Sequence, residues 1–172
     1  IHEGALVMED DALLPLFQDA YPAILPAGGG PAINMVSFME DVGASHYKWL
    51  SSVQEFSVLS LDFTRGDTLK LIQEFGFPQG KTLGAGIIDA RSVWSIDPLV
   101  VMPILQAVLP LVGGDKVRIQ PSASLQFVPW DLSGEKDILV HPAGGVLSFA
   151  TQKLKEVAIV AEACSGNMAV LD

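Results

Sequence analysis

Short apolar runs alternate with segments of helical period along this chain, and that alternation excludes most folds. Residues 1–7, 32–38, 56–62, 82–88 and 117–120 read as five strands, rich in β-branched and aliphatic side chains. Between them, Leu13, Leu14, Phe17, Tyr21 and Ile24 recur at helical spacing, with Asp10 or Asp11 as the cap. Pro15 fits a first turn, whereas Pro22 is expected to bend or end that helix. Residues 26–31 are a proline- and glycine-rich loop. Helices follow over 43–54 and 67–75, the second ended by the turn 76–80. Asp97-Pro98 supplies a cap and a first-turn proline for a helix running to Val112. A last helix is expected over 146–164, with Phe149, Leu154, Val157, Val160 and Ala161 inward and Lys153, Lys155 and Glu156 outward.

Strands and helices repeating at roughly 25–30 residues indicate parallel βαβ units. The class is α/β, either a doubly wound sheet or part of a (β/α)8 barrel. A complete barrel takes about 250 residues, and this chain has 172. It also begins on Ile1, inside what reads as a strand, so it is expected to be part of something longer. The net charge of −10 argues against nucleic acid and against docking on anionic lipid. A single cysteine, Cys164, excludes an internal disulfide and a multi-cysteine zinc site. No basic leader opens the sequence, and no apolar run reaches the 18 or so residues of a membrane span.

In parallel α/β folds, sites are built at the C-terminal ends of strands. Glu3, Asp62, Asp89 and Asp131 are expected there, and with Arg91 they can form a polar cluster. Pro121-Ser-Ala-Ser-Leu-Gln-Phe-Val-Pro-Trp-Asp-Leu132 adds Ser122 and Ser124 in a loop stiffened by Pro121 and Pro129. These seven residues are the substrate-binding candidates; the competing role is structural, with Arg91 pairing a carboxylate to tie loops together. His2, His46 and His141 are scattered, and a reactive role for Cys164 is not expected.

Five motifs, in order, carry a resemblance: Ile1-His-Glu-Gly-Ala-Leu-Val7, Leu61-Asp-Phe-Thr-Arg-Gly66, Gly86-Ile-Ile-Asp-Ala-Arg-Ser-Val-Trp94, Ser122-Ala-Ser-Leu-Gln-Phe-Val-Pro-Trp-Asp-Leu132 and Phe149-Ala-Thr-Gln-Lys-Leu-Lys-Glu156. Together they resemble the second half of the N-terminal barrel of cobalamin-independent methionine synthase. The resemblance implies a partial (β/α)8 TIM barrel of methionine synthase/uroporphyrinogen decarboxylase type, with residues 1–172 as the C-terminal half of that domain. It also implies membership of a methyltransferase family that moves a methyl group from methyltetrahydrofolate polyglutamate to homocysteine. That family's zinc sits in its other barrel. Laying the zinc ligands on this chain puts Met35, Ser37, Asp62 and Ala123 at the four positions, and only Asp62 is a ligand type. The chain departs further at His2-Glu3-Gly4, at Ala90-Arg91-Ser92-Val93-Trp94 and at Phe127. The family's basic folate-tail contacts lie in the earlier part of its barrel.

The expectations are therefore no catalytic residue, no metal or other cofactor, no small-molecule ligand, and no activity by this chain alone. The expected partner is the remainder of its own barrel or another protein subunit. Leu99-Val-Val-Met-Pro-Ile-Leu-Gln-Ala-Val-Leu-Pro-Leu-Val112 carries no charge, which points to a partner interface through Val101, Leu105 and Val108. That partner includes, as an alternative, a protein embedded in or lying beside a membrane. The compartment expected from the resemblance is the cytoplasm or the plastid stroma.

Overall fold

A computed structural model describes residues 1–8, 11–26 and 30–171. The expected cap Asp10 and the centre of the 26–31 loop lie outside the described residues. Four strands form one parallel sheet in sequence order: β1 (Ile33–Val36), β2 (Phe56–Asp62), β3 (Thr82–Ile88) and β4 (Val117–Pro121). Helices follow as α1 (Leu14–Ile24), α2 (Gly43–Ser52), α3 (Thr68–Phe75), α4 (Pro98–Val112), α5 (Lys136–Leu139) and α6 (Ala150–Cys164). The architecture is α/β, and four parallel strands with surrounding helices are consistent with part of a TIM-like barrel.

The expected first strand is reduced to a bridge between His2 and Val36. Val36 N–H donates to the Ile1 carbonyl at 2.8 Å and Glu3 N–H to the Val36 carbonyl at 3.0 Å. The Glu3 carboxylate then accepts from Ala5 N–H at 3.0 Å, and the chain turns into a 3-10 helix over Gly4–Met8. A carboxylate that binds the backbone two residues on favours a turn over a strand.

One sheet face presents Met35, Leu59, Leu61, Leu83, Ala85 and Ile87 to the helices, where Leu50, Ile72, Leu105, Val108 and Val160 complete the core. The opposite face carries a polar row. Ser60 Oγ lies 2.8 Å from Asn34 Oδ1 and 3.2 Å from Gln120 Oε1. Gly84 makes that row possible, because a Cβ there would collide with both Ser60 Oγ and Gln120 Oε1.

Helix α1 passes Pro22 and closes at Ile24, where Leu25 N–H donates to the Tyr21 carbonyl at 2.9 Å. Pro22 lies so close to the end that it removes one hydrogen bond and leaves the helix otherwise intact. Asp97 caps α4 by accepting from Leu99 N–H at 2.9 Å. The expected interface residues Val101, Leu105 and Val108 are buried against the sheet. Helical phase therefore gives the outer face of α4 to Leu99 and Val100, 85% and 59% exposed. Helix α6 begins at Ala150; the preceding Pro142–Val146 is a 3-10 helix. Its phase also differs from the expected one: Lys153 and Glu156 point inward and Leu154 outward.

Candidate functional site

All four strands are parallel, so their C-terminal ends share one edge of the sheet. Ser37 follows β1, Asp62 ends β2, Asp89 follows β3 and Ser122 follows β4. Asp62 is the more deeply placed of the two carboxylates there, 1% exposed. Its Oδ1 accepts from both Thr64 N–H and Thr64 Oγ1, each at 2.7 Å. Its Oδ2 is buried and has no hydrogen-bond partner among the described residues. Burial pushes the Asp62 carboxyl above the ordinary carboxylate range and the Asp89 charge adds to that, while the Thr64 bonds and Arg65 pull it back. Ser37 Oγ is likewise buried without a partner among the described residues.

Asp89 couples to this group through Arg65, whose guanidinium stands 3.6 Å from Asp89 Oδ2. Sequence reasoning nominated Arg91 for that role. Instead the Asp89 carboxylate accepts from Arg91 N–H at 2.9 Å, a turn that aims the Arg91 side chain away. Arg91 donates to the Met39 carbonyl at 3.2 Å, and Met39 holds a left-handed φ of 90°.

The other candidates have separate employment. Glu3 accepts from Tyr21 Oη at 3.3 Å. Burial first, and then Glu3, pushes the Tyr21 phenol up to about 12. Ser122 Oγ accepts from Ala90 N–H at 3.2 Å and joins the ends of β3 and β4. Ser124 caps a 3-10 turn through Gln126 N–H at 3.4 Å. Asp131 caps another, accepting from Ser133 N–H at 2.9 Å and from Gln152 Nε2 at 2.8 Å. Those bonds hold its carboxyl below the usual range. The structure thus gathers Asp62, Asp89 and Arg65, and leaves Glu3, Arg91, Ser124 and Asp131 to hold loops.

Two charged side chains near this edge, which the sequence reading places on the outward face of the last helix, are buried instead. Lys153 is fully buried and its Nζ donates to the Trp94 carbonyl at 2.9 Å. Glu156 Oε1 accepts from Ile96 N–H at 3.3 Å. The signal was present in the buried spacing Ala150, Lys153, Glu156, Val160 and Ala163, a single helical stripe. Burial lowers the Lys153 amine, against the opposing pull of Glu156 and Asp89. Burial also raises the Cys164 thiol, which makes it a poor nucleophile.

Among the described residues no three His, Cys, Asp or Glu side chains are grouped to hold a metal ion. Of the four positions that the resemblance relates to zinc ligands, Met35 lies in the hydrophobic core, Ala123 has no donor atom, and Ser37 and Asp62 supply one oxygen-bearing side chain each. No helix among the described residues is long and apolar enough to cross a membrane.

Residues 1–112 match the family described as the cobalamin-independent synthase, N-terminal domain. The 5-methyltetrahydropteroyltriglutamate–homocysteine methyltransferase of Thermosynechococcus vestitus is 39% identical over 168 residues, which are 97% of this chain and 21% of that protein. The enzyme of the same description from Synechococcus sp. (strain JA-2-3B'a(2-13)) is 45% identical over 171 residues, 97% of this chain and 21% of its own length. A chloroplastic form from Arabidopsis thaliana is 36% identical over 166 residues, 95% of this chain and 20% of its own. The chain spans about a fifth of the length of these curated relatives.

Proposed function

Because the chain belongs to the family of the cobalamin-independent synthase N-terminal domain, we propose that it is a scaffolding part of a 5-methyltetrahydropteroyltriglutamate–homocysteine methyltransferase. Residues 1–172 form the later part of a barrel domain, and methyl transfer to homocysteine takes place outside them. The observation that carries this reading is the donor set at the strand ends. A catalytic zinc takes three protein ligands and an open position. Met35 and Ala123 offer nothing for such an ion, and the nearest carboxylate, Asp62, has one oxygen committed to Thr64. The residues do not fit zinc, and no thiol-activating step runs through them.

The chemistry left to this edge is structural. Arg65 and Asp89 join two strand-end loops, and Ser122 joins β3 to β4. In the gene product that carries this chain, Asp62→Asn and Asp89→Asn should each leave kcat for homocysteine methylation within about threefold of the parent. A fall of a hundredfold or more with KM unchanged would move the chemistry into this chain.

A second reading has its own observation. The outer face of α4 exposes Leu99, Val100 and Leu111 with no charge on the helix. That face suits a barrel reused as an interaction subunit of a larger assembly, in the cytoplasm or the plastid stroma. Co-purification before and after Leu99→Lys and Val100→Glu separates the readings. Loss of a partner with methyl transfer intact favours the subunit reading.

A further inference from the structure

The connection from β3 to α4 carries Asp89 and Arg91 and has no regular structure of its own from Asp89 to Trp94. Four consecutive residues after them are each bound to α6 or to the stretch that leads into it. The Val93 carbonyl accepts from Ser148 N–H at 2.7 Å and the Trp94 carbonyl from Lys153 Nζ at 2.9 Å. Ser95 N–H donates to the Val146 carbonyl at 2.9 Å and Ile96 N–H to Glu156 Oε1 at 3.3 Å. Trp94 and Leu147 pair as an isolated antiparallel bridge. Toward the sheet and its strand-end loops, this connection has the bond from Ala90 N–H to Ser122 Oγ, the ion pair of Asp89 with Arg65 and the bond from Arg91 to the Met39 carbonyl, all of them before residue 93.

Two of the four ties come from charged side chains removed from water. Lys153 is fully buried, and the Trp94 carbonyl is the acceptor it reaches among the described residues. Glu156 keeps Oε2 buried without a hydrogen bond among the described residues. Burying an ammonium is costly and is offset by opposite charge and hydrogen bonding, which Lys153 finds in the nearby Glu156 and in its bond to the Trp94 carbonyl. Here it fixes the backbone between the strand-end carboxylate Asp89 and the cap of α4, Asp97.

We propose that Lys153 and Glu156 form a clasp that positions the β3–α4 connection over the C-terminal edge of the sheet, and that this connection opens as a unit separate from the sheet. Lys153 and Glu156 are positioning residues: they act on Asp89 and Arg91 through the backbone of residues 93–96. The clasp belongs to α6, whereas Asp89 follows β3, so the two can part while the β2–β3 ladder stays closed.

Native-state hydrogen exchange tests this in the protein as its gene encodes it. The amides of Ser95, Ile96 and Ser148 should share one opening, at lower denaturant than the amide of Phe63, which binds the Gly86 carbonyl between β2 and β3. Lys153→Met should speed exchange at those three amides at least about tenfold, the weight of one charge-assisted bond. The proposal is overturned if the parent protein opens these amides together with Phe63. It is equally overturned if a folded Lys153→Met protein keeps their protection. Should that variant not fold, the parent measurement decides alone.

Discussion

Helices α4 and α6 are each 15 residues long and both pack on the sheet, yet they invert the usual division of side chains. Helix α4 has no charged residue and still exposes Leu99 and Val100. Helix α6 carries Lys153, Lys155, Glu156 and Glu162 and buries two of them. Residue type alone does not say which face of a helix turns inward. Phase relative to the neighbouring strands does, and buried charges appear where the backbone beside them needs a partner.

The largest effect should separate two leucines. Leu105 in α4 is buried in the core, whereas Leu154 in α6 is 58% exposed. Leu105→Ala should cost about 2–5 kcal/mol and Leu154→Ala less than about 0.5 kcal/mol in denaturant unfolding. Equal costs would erase the contrast between the two faces.

Next is the coupling inside α6. Lys153→Met and Glu156→Leu each leave a charge without its counterpart in a buried setting. The double variant should be more stable than the sum of the singles by about 1–3 kcal/mol. An additive result would mean that the two side chains act independently.

A smaller effect is a slope with pH. The folded Lys153 amine lies below its unfolded value of about 10.4. The native state therefore releases that proton first, and the unfolded state binds more protons between the two values. Through Lys153, stability rises with pH across that interval. Tyr21 and Tyr47, both pushed up to about 12, act oppositely above pH ~10. Subtracting the Lys153→Met curve from the parent curve cancels the tyrosines. The difference should climb toward pH ~10 and then level off. A flat difference would place Lys153 in water.

The smallest stability change belongs to the exposed face of α4. Leu99→Lys and Val100→Glu should alter stability by no more than about 0.5 kcal/mol each while lowering self-association in light scattering. Destabilisation by several times that amount would show that this face is covered within the native protein.

Much of the sheet was legible because its strands announce themselves. Residues 56–62 and 82–88 match β2 and β3 to the residue, and Asp97-Pro98 marks the start of α4. Both patterns rest on local chemistry: β-branched runs, a carboxylate cap and a proline that needs no donor. Residues 1–7 were misjudged because Glu3 diverts the backbone after a single bridge. The phase of α6 was misjudged because Lys153 and Glu156 were assigned by charge rather than by their spacing to Val160 and Ala163. At the site, parallel strands alone suffice to bring Asp62 and Asp89 to one edge. Which arginine meets them depends on the turn after Asp89, where the carboxylate takes the Arg91 amide and leaves the ion pair to Arg65. Loop conformation of that kind is settled by tertiary contacts, here Arg91 with the Met39 carbonyl.

The central proposal is that this chain is a supporting part of a methyltransferase and does not hold the metal that activates the thiol. Zinc content of the gene product tests it most directly, with Asp62→Ala and Ser37→Ala introduced together. Zinc per protein, measured by elemental analysis after gel filtration, should equal that of the parent. Loss of one ion per protein in the double variant would place the metal at these strand ends and contradict the account.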